Sequence, residues 1–255
     1  MSIKPLTSTR HLVWDACLNI RDLGGYPTQA GKETRWRAIL RGDNLCRLTR
    51  QGIQAILDYG VSTIIDLRTP GELVNALHPF SIRNAPENYP QYLHLSVLQD
   101  KRKAAMTALE KTKSSEEAYP LILDLFKENI GAILKVIAQA DPGPVLFHCH
   151  AGKDRTGLIA ALILSLAGVP EDLIAADYAE SNRYLEPLYQ EILDGESKDP
   201  DERQKLYVSM LARPEAMLFT LAYLNGKYGS IPAYLRAAGV SNEEQANIRA
   251  RIVEQ

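Results

Sequence analysis

Apolar positions along this chain follow two rhythms. Val61-Ser62-Thr63-Ile64-Ile65-Asp66-Leu67-Arg68 is a β-branched, nearly continuous apolar run and predicts a buried strand. Val145-Leu146-Phe147 predicts a second short buried strand, and Tyr92 to Val97 a weaker third. Before them, the turn clusters Gly24-Gly25-Tyr26-Pro27 and Gln29-Ala30-Gly31-Lys32 bound short runs that suit hairpins. The helical rhythm appears first at Ile53, Ile56 and Leu57, between a Thr49 cap and a Gly60 stop. Lys101 to Lys113 is basic and helical in composition. Leu121, Leu125, Ile133 and Val136 predict one long helix from Tyr119 to Ala140, which Asp141-Pro142-Gly143-Pro144 must end. A further helix runs from Arg155 to Gly168. Beyond Pro170 everything reads as helix: 170–180, 182–194, 201–211, 214–226, 230–238 and 241–254, the last opened by a Ser241/Glu244 capping box.

Strands alternating with helices and then a helical tail predict an α/β fold: a central, mostly parallel sheet flanked by helices, with a helical C-terminal portion over 170–255. No repeat, low-complexity tract or Gly/Ser linker interrupts the chain, so its 255 residues read as a single domain over 1–255. With 45% hydrophobic and 24% charged residues, it has the make-up of a globular protein with a real core. The longest apolar stretch, Leu158 to Val169, is too short to span a bilayer and predicts a buried helix. No apolar signal segment opens the chain, which predicts a cytoplasmic protein, with secretion as an effector left open. The net charge of -2 argues against nucleic acid as a partner, so any attraction for anions must be local. Cys17, Cys46 and Cys149 are an odd set, which speaks against a disulfide framework.

Local chemistry concentrates in His148-Cys149-His150-Ala151-Gly152-Lys153-Asp154-Arg155-Thr156-Gly157. A strand ends just before this stretch and a helix begins within it. A short loop leading into a helix N-terminus aims several backbone N–H groups at one point, and the helix dipole adds positive potential. Gly152 lets the backbone approach a ligand closely. The cradle suits a tetrahedral oxyanion, lined by His150, Ala151, Gly152 and Lys153. The same field favours the thiolate of Cys149 at its base. Arg155 supplies a planar fork for two phosphate oxygens. A thiolate facing a phosphorus held this way is set up for in-line displacement through a cysteinyl-phosphate, and the Thr156 hydroxyl can help the thiolate leave. A Walker loop would need Ser or Thr after Lys153, where Asp154 stands. Zinc would need a second ligand pair that Cys17 and Cys46 do not provide, and Cys-x-x-Cys is absent. No metal and no cofactor are expected.

These residues resemble the protein-tyrosine phosphatase superfamily, whose His-Cys-x5-Arg-Ser/Thr signature the loop matches in full. Asn19 to Tyr26, Leu40-Arg41-Gly42-Asp43-Asn44-Leu45, Ile65-Asp66-Leu67-Arg68 and Tyr228-Gly229-Ser230 resemble its atypical bacterial and fungal branch, which includes secreted mycobacterial and listerial enzymes. The resemblance implies Cys149 as nucleophile, Arg155 as phosphate clamp, His148 as a support that orients the loop, and no metal. It implies phosphotyrosine proteins or phosphoinositides as substrates. A dual-specificity enzyme, and a weakly catalytic phospho-ligand binding module, are the alternatives. Gly42 stands where the family usually has Ser, and no Trp-Pro-Asp general-acid tripeptide is present.

The acid must therefore be sought elsewhere. Asp154, inside the loop, is the preferred candidate. Asp100, at the start of a segment over 99–118 that could form a lid, is the alternative. Asp66 is expected to brace loop and strand with Arg68. Lys153 and His150 add positive charge for phosphate recognition. Cys17 and Cys46 read as inert thiols.

Overall fold

The computed structural model describes residues 10–74, 76, 78–82, 85–99, 101–196 and 199–253. Five strands, β1 (Arg21–Asp22), β2 (Ile39–Gly42), β3 (Thr63–Asp66), β4 (Gln91–His94) and β5 (Val145–His148), form one sheet in the order β1-β2-β5-β3-β4. Only the β1–β2 pair is antiparallel. Strands β2, β3 and β5 are buried at every position, as parallel strands covered on both faces must be. Alternate residues feed opposite faces: Leu40, Ile64 and Leu146 join one apolar cluster, Ile39, Ile65 and Phe147 the other. β4 lies at the sheet's edge and is only partly covered, which explains its faint signal; it starts one residue earlier than the pattern predicts and stops at His94.

Helix α1 (Arg50–Tyr59) covers the first face through Ile56. Thr49 Oγ1 caps its start and Gly60, at φ 79°, ends it, as predicted. The other helices are α2 (Pro70–Val74), α3 (Lys103–Glu110), α4 (Ser115–Leu125), α5 (Lys127–Gln139), α6 (Asp154–Ala167), α7 (Glu171–Glu196), α8 (Pro200–Met210), α9 (Pro214–Tyr228), α10 (Ile231–Ala237) and α11 (Asn242–Ile252). The capping box of Ser241 and Glu244 forms as expected. Helix α6 is enclosed on almost every side, and burying each of its Leu and Ile side chains contributes about 1.5–3 kcal/mol. Among the described residues no helix is long and apolar enough to cross a membrane.

Two helix boundaries differ from the sequence reading. The single helix predicted over Tyr119 to Ala140 is two, α4 and α5. The break falls at Phe126 (φ −121°, ψ 24°), whose ring is fully buried, so core packing overrides the local period. Conversely, 170–180 and 182–194 form the one helix α7. Ser181, at the predicted break, is helical and buried, and its hydroxyl accepts a hydrogen bond from buried Arg21.

Candidate active site

β5 lies at the centre of the sheet, between β2 and β3, and the register sets Gly42, His148 and Asp66 side by side at the carboxyl ends of the strands. Ligands of open α/β sheets bind just outside these ends. The loop 149–153 leaves from this point and enters α6 at Asp154.

The loop's shape is held through its carbonyls. Cys149 O accepts from His148 Nδ1 at 3.2 Å, and His150 O from the Asn44 amide at 2.9 Å. Ala151 O accepts from Asn19 Nδ2 at 3.0 Å, and Gly152 O from Arg41 Nη2 at 2.7 Å. With successive carbonyls anchored outward, the intervening amides turn to the loop's centre; those of His150, Ala151 and Gly152 find no acceptor among the described residues. Amides so arranged have the form of an anion nest. Gly152 is required twice over: its φ is +67°, and a Cβ there would lie 2.6 Å from Gly42 O. Gly42 is also close-packed, though less rigidly: a Cβ there would lie 2.5 Å from the end of the Ile20 side chain. The glycine that departs from the family's usual Ser thus fits the Ile20 packed against it.

The anchors belong to a buried polar network. Asp43 accepts the amides of Leu18 and Asn19, both at 2.9 Å, which sets Asn19 against the loop. Arg41 pairs with Asp177 of α7, as does Arg21 at 3.4 Å, and Tyr26 Oη donates to Asp177 at 2.9 Å. Burial pushes the Asp177 carboxyl up, but the two arginines outweigh it and hold it below the usual carboxylate range.

Cys149 is 2% exposed at the base of the loop, in the apolar cluster that packs under α6. Arg155 carries its guanidinium to Glu72 of α2, with Nη1–Oε2 at 2.5 Å and Nη2–Oε1 at 2.8 Å. Burial opposes the Glu72 carboxylate, yet Arg155 brings its pKa down to about 2. Glu72 was not singled out in the sequence. Its signal is Thr69-Pro70-Gly71-Glu72, a capping pattern with Pro at the helix start: the Thr69 amide donates to Glu72 Oε2 at 2.7 Å, and the Glu72 amide donates to Thr69 Oγ1 at 3.4 Å. The pattern gives away the helix but not the arginine it serves.

Asp154 is the first residue of α6 and half exposed. Tyr119 Oη of α4 donates to its Oδ1 at 2.5 Å, and Tyr119 and Tyr178 share a hydrogen bond at 2.6 Å. Lys153 Nζ donates to Met210 O at the end of α8 at 2.5 Å and lies 3.6 Å from Asp154 Oδ1. It is directed away from the nest and braces α8. His150 is exposed and lines a small pocket with Asn44, Arg47 and Leu188. Thr156 Oγ1 is buried with no partner among the described residues. Asp100 lies outside the described residues. Of the segment expected as a lid, α3 packs on α4, and Arg102 stacks over the Phe126 ring at 5.2 Å.

Asp66 grips Arg68 through Nε at 3.0 Å and Nη2 at 2.7 Å, and accepts Tyr92 Oη at 3.0 Å. Burial opposes its charge, but Arg68 holds its carboxyl well below the usual range. Asp66, His78 and His148 bring possible ligand atoms within 4.8 Å of one another. A cation fits poorly there, because Arg68 and Tyr92 already occupy the carboxylate and the ring nitrogens of His78 are committed to Phe80 and His148.

A model of the tyrosine phosphatase family matches residues 12–254. The chain belongs to that family. It is similar to a tyrosine-protein phosphatase of Nostoc commune, 33% identical over 229 residues, which cover 84% of this chain and 74% of the relative. It is also similar to the triple specificity protein phosphatase PtpB of Mycobacterium tuberculosis, 37% identical over 130 residues, 43% of this chain and 44% of PtpB. The resemblance read from the loop therefore holds, and the chain is a tyrosine phosphatase.

Proposed function

We propose that this phosphatase hydrolyses phosphomonoesters through a cysteinyl-phosphate on Cys149. The ester's phosphoryl group enters the nest of amides 150–152 and is gripped by Arg155 through its Nε side, while Glu72 holds the Nη1–Nη2 edge and orients the guanidinium. The Cys149 thiolate attacks phosphorus in line, forming the S–P bond as the P–O bond to the leaving group breaks. Asp154 gives its proton to the departing oxygen. A water then gives a proton to the Asp154 carboxylate as its oxygen attacks phosphorus; the S–P bond breaks and inorganic phosphate leaves. The orphan hydroxyl of Thr156 is free to donate to the thiolate in both steps. No step needs a metal. One observation carries the reading: the carbonyls of 149–152 are tied outward above a buried cysteine, with an arginine in the first turn of the helix that follows.

Phosphotyrosine is the preferred substrate class. Asp154, half exposed at the rim and oriented by Tyr119, is placed to protonate a phenolate held outside the nest. Phosphoinositides are the second class, as the loop's resemblance implies; a specificity broader than phosphotyrosine is in keeping with the name of the similar triple specificity protein phosphatase PtpB. The test is a turnover panel of phosphotyrosine, phosphoserine and phosphothreonine peptides and inositides, with and without chelator. Activity that chelation abolishes would end the metal-free mechanism. Cys149→Ser should bind phosphate without turnover, and substantial turnover would refute the covalent step. Asp154→Asn should lose far more rate on an ester with a poor leaving group than on one with a good one. If Asp100→Asn shows that pattern instead, Asp100 is the acid.

A further inference from the structure

Between α2 and the sheet, His78 is 4% exposed and His148 fully buried, and their Nε2 atoms lie 3.1 Å apart. Hydrogens are not seen at such contacts, but here the partners at each end dictate them. The backbone amide of Phe80 donates to His78 Nδ1 at 3.2 Å, so that nitrogen is an acceptor. A neutral His78 must then carry its hydrogen on Nε2. At the other end, His148 Nδ1 faces the Cys149 carbonyl at 3.2 Å, which can only accept, so His148 must carry its hydrogen on Nδ1. Its Nε2 is left bare, facing the His78 N–H. Both rings are neutral: burial drives the His148 pKa down to about 4 and that of His78 to about 2. Each donor meets one acceptor, and the direction is fixed from Phe80 to Cys149.

The geometry points to His78 as a positioning residue of the catalytic loop, one that locks His148 in its Nδ1–H form and thereby holds the Cys149 carbonyl outward. The competing form of His148 carries its hydrogen on Nε2, where Asp66 Oδ2 at 3.7 Å would receive it. That form sets a bare Nδ1 against the Cys149 carbonyl. The two lone pairs repel, and the Cys149–His150 peptide turns. The amide of that same peptide is the first of the nest, and the nucleophile hangs from its other end. A donor from His78 opposes the competing form directly, since two N–H groups would then face each other at 3.1 Å. Aromatic contact adds to the placement: the His78 ring lies 4.4 Å from that of Tyr92 and 5.0 Å from that of His148. The inference rests on Cys149 and its loop being the reaction centre, but its structural half, the form of His148, is measured without turnover.

The experiment compares wild type, His78→Gln and His78→Leu near neutral pH. Gln keeps an N–H donor close to the position of the imidazole Nε2; Leu keeps only bulk. Long-range ¹H–¹⁵N correlation reads which nitrogen of His148 carries the hydrogen. Wild type and His78→Gln should show the Nδ1–H form. His78→Leu should show the Nε2–H form or a mixture, with kcat lower on the order of tenfold and KM nearly unchanged, as a displaced reaction centre costs rate more than affinity. Pure Nδ1–H His148 in His78→Leu with undiminished kcat overturns the proposal. So does a His78→Gln protein as slow as His78→Leu, because a purely packing role would not distinguish a donor. If His78→Leu does not fold, the other two proteins decide: Nδ1–H with matching kcat in both upholds it, and Nε2–H His148 in wild type overturns it. A wild type with the expected form but a Cys149→Ser variant that still turns over would leave the relay standing and remove the covalent mechanism instead.

Discussion

Replacing Asp177 by Leu should be among the most damaging single changes in this protein, although Asp177 lies in α7, outside the loop. Its carboxylate is 1% exposed and is shared by Arg41 and Arg21, whose side chains are completely buried. Removing it leaves the buried Arg41 guanidinium without a counter-charge and Arg21 with only the more distant Glu180, at 3.9 Å. Breaking a buried ion pair from one side costs about 3–5 kcal/mol. For a chain of this size each kcal/mol moves Tm by roughly 2–4 °C, so Asp177→Leu should lower it by roughly 6–20 °C. Asp177→Asn keeps the shape and an acceptor for Tyr26, and should lose less. The same substitution should weaken inhibition by inorganic phosphate, because Arg41 also holds the Gly152 carbonyl. Urea unfolding and phosphate inhibition, measured on Asp177→Leu, Arg41→Met and the double variant, give the coupling. The double variant should lose less than the sum of the singles by about 1 kcal/mol or more, since the charge that Leu strands is then partly removed. A stability loss below about 1 kcal/mol for Asp177→Leu, or strict additivity, would refute the idea that this network positions the loop.

Gly152→Ala should cost about 2 kcal/mol or more and abolish phosphate inhibition, because the left-handed backbone and the Gly42 carbonyl both resist a methyl group; calorimetry and a phosphate titration check it. Glu72→Gln should leave Arg155 with one hydrogen bond in place of a charged pair and lower kcat/KM on the order of tenfold, read by steady-state kinetics. Acid should destabilise the fold in two windows. His148 takes up a proton more readily unfolded than folded, so stability falls as pH drops from 6.5 towards about 4, by on the order of 3 kcal/mol at roughly 1.4 kcal/mol per pH unit. Glu72, with its folded value lowered from 4.5 to about 2, contributes stability above 4.5 that is lost as pH falls through about 2; His78, lowered to about 2 by burial, loses stability through the same window, so the loss there should shrink but not vanish in Glu72→Gln when both proteins are unfolded in urea across pH.

The parallel strands, the caps of α1 and α11 and the enclosed helix α6 were legible because each is a local pattern with a local cause. The placement of Cys149 at the base of the loop and of Arg155 at the start of α6 was legible for a like reason: a strand, a short loop and a helix follow one another directly. What the sequence hides is pairing at a distance. Glu72 lies 83 positions from Arg155, and Asp177 136 from Arg41. Nothing along the chain marks Tyr119 as the partner of Asp154, or His78 as the partner of His148. Lys153 illustrates the limit most clearly. Its place in an anion loop suggests phosphate, yet its long side chain leaves the loop for the Met210 carbonyl. The break at Phe126 was hidden too, because only the assembled core decides which way that ring turns.

The carbonyl anchors of the loop give phosphate a second meaning for this molecule. Asn19 reaches across 132 positions to Ala151, and Arg41 across 111 to Gly152. An excised loop peptide would lack these donors and could not hold its amides inward, so affinity for an anion exists only once the distant segments have met. Phosphate, vanadate or a slow substrate should thus bind the finished fold alone. At a hundred times its Kd such an ion should add about 2.7 kcal/mol to unfolding. Thermal shift in phosphate then becomes a gauge of how completely any variant has assembled, including variants too slow to assay.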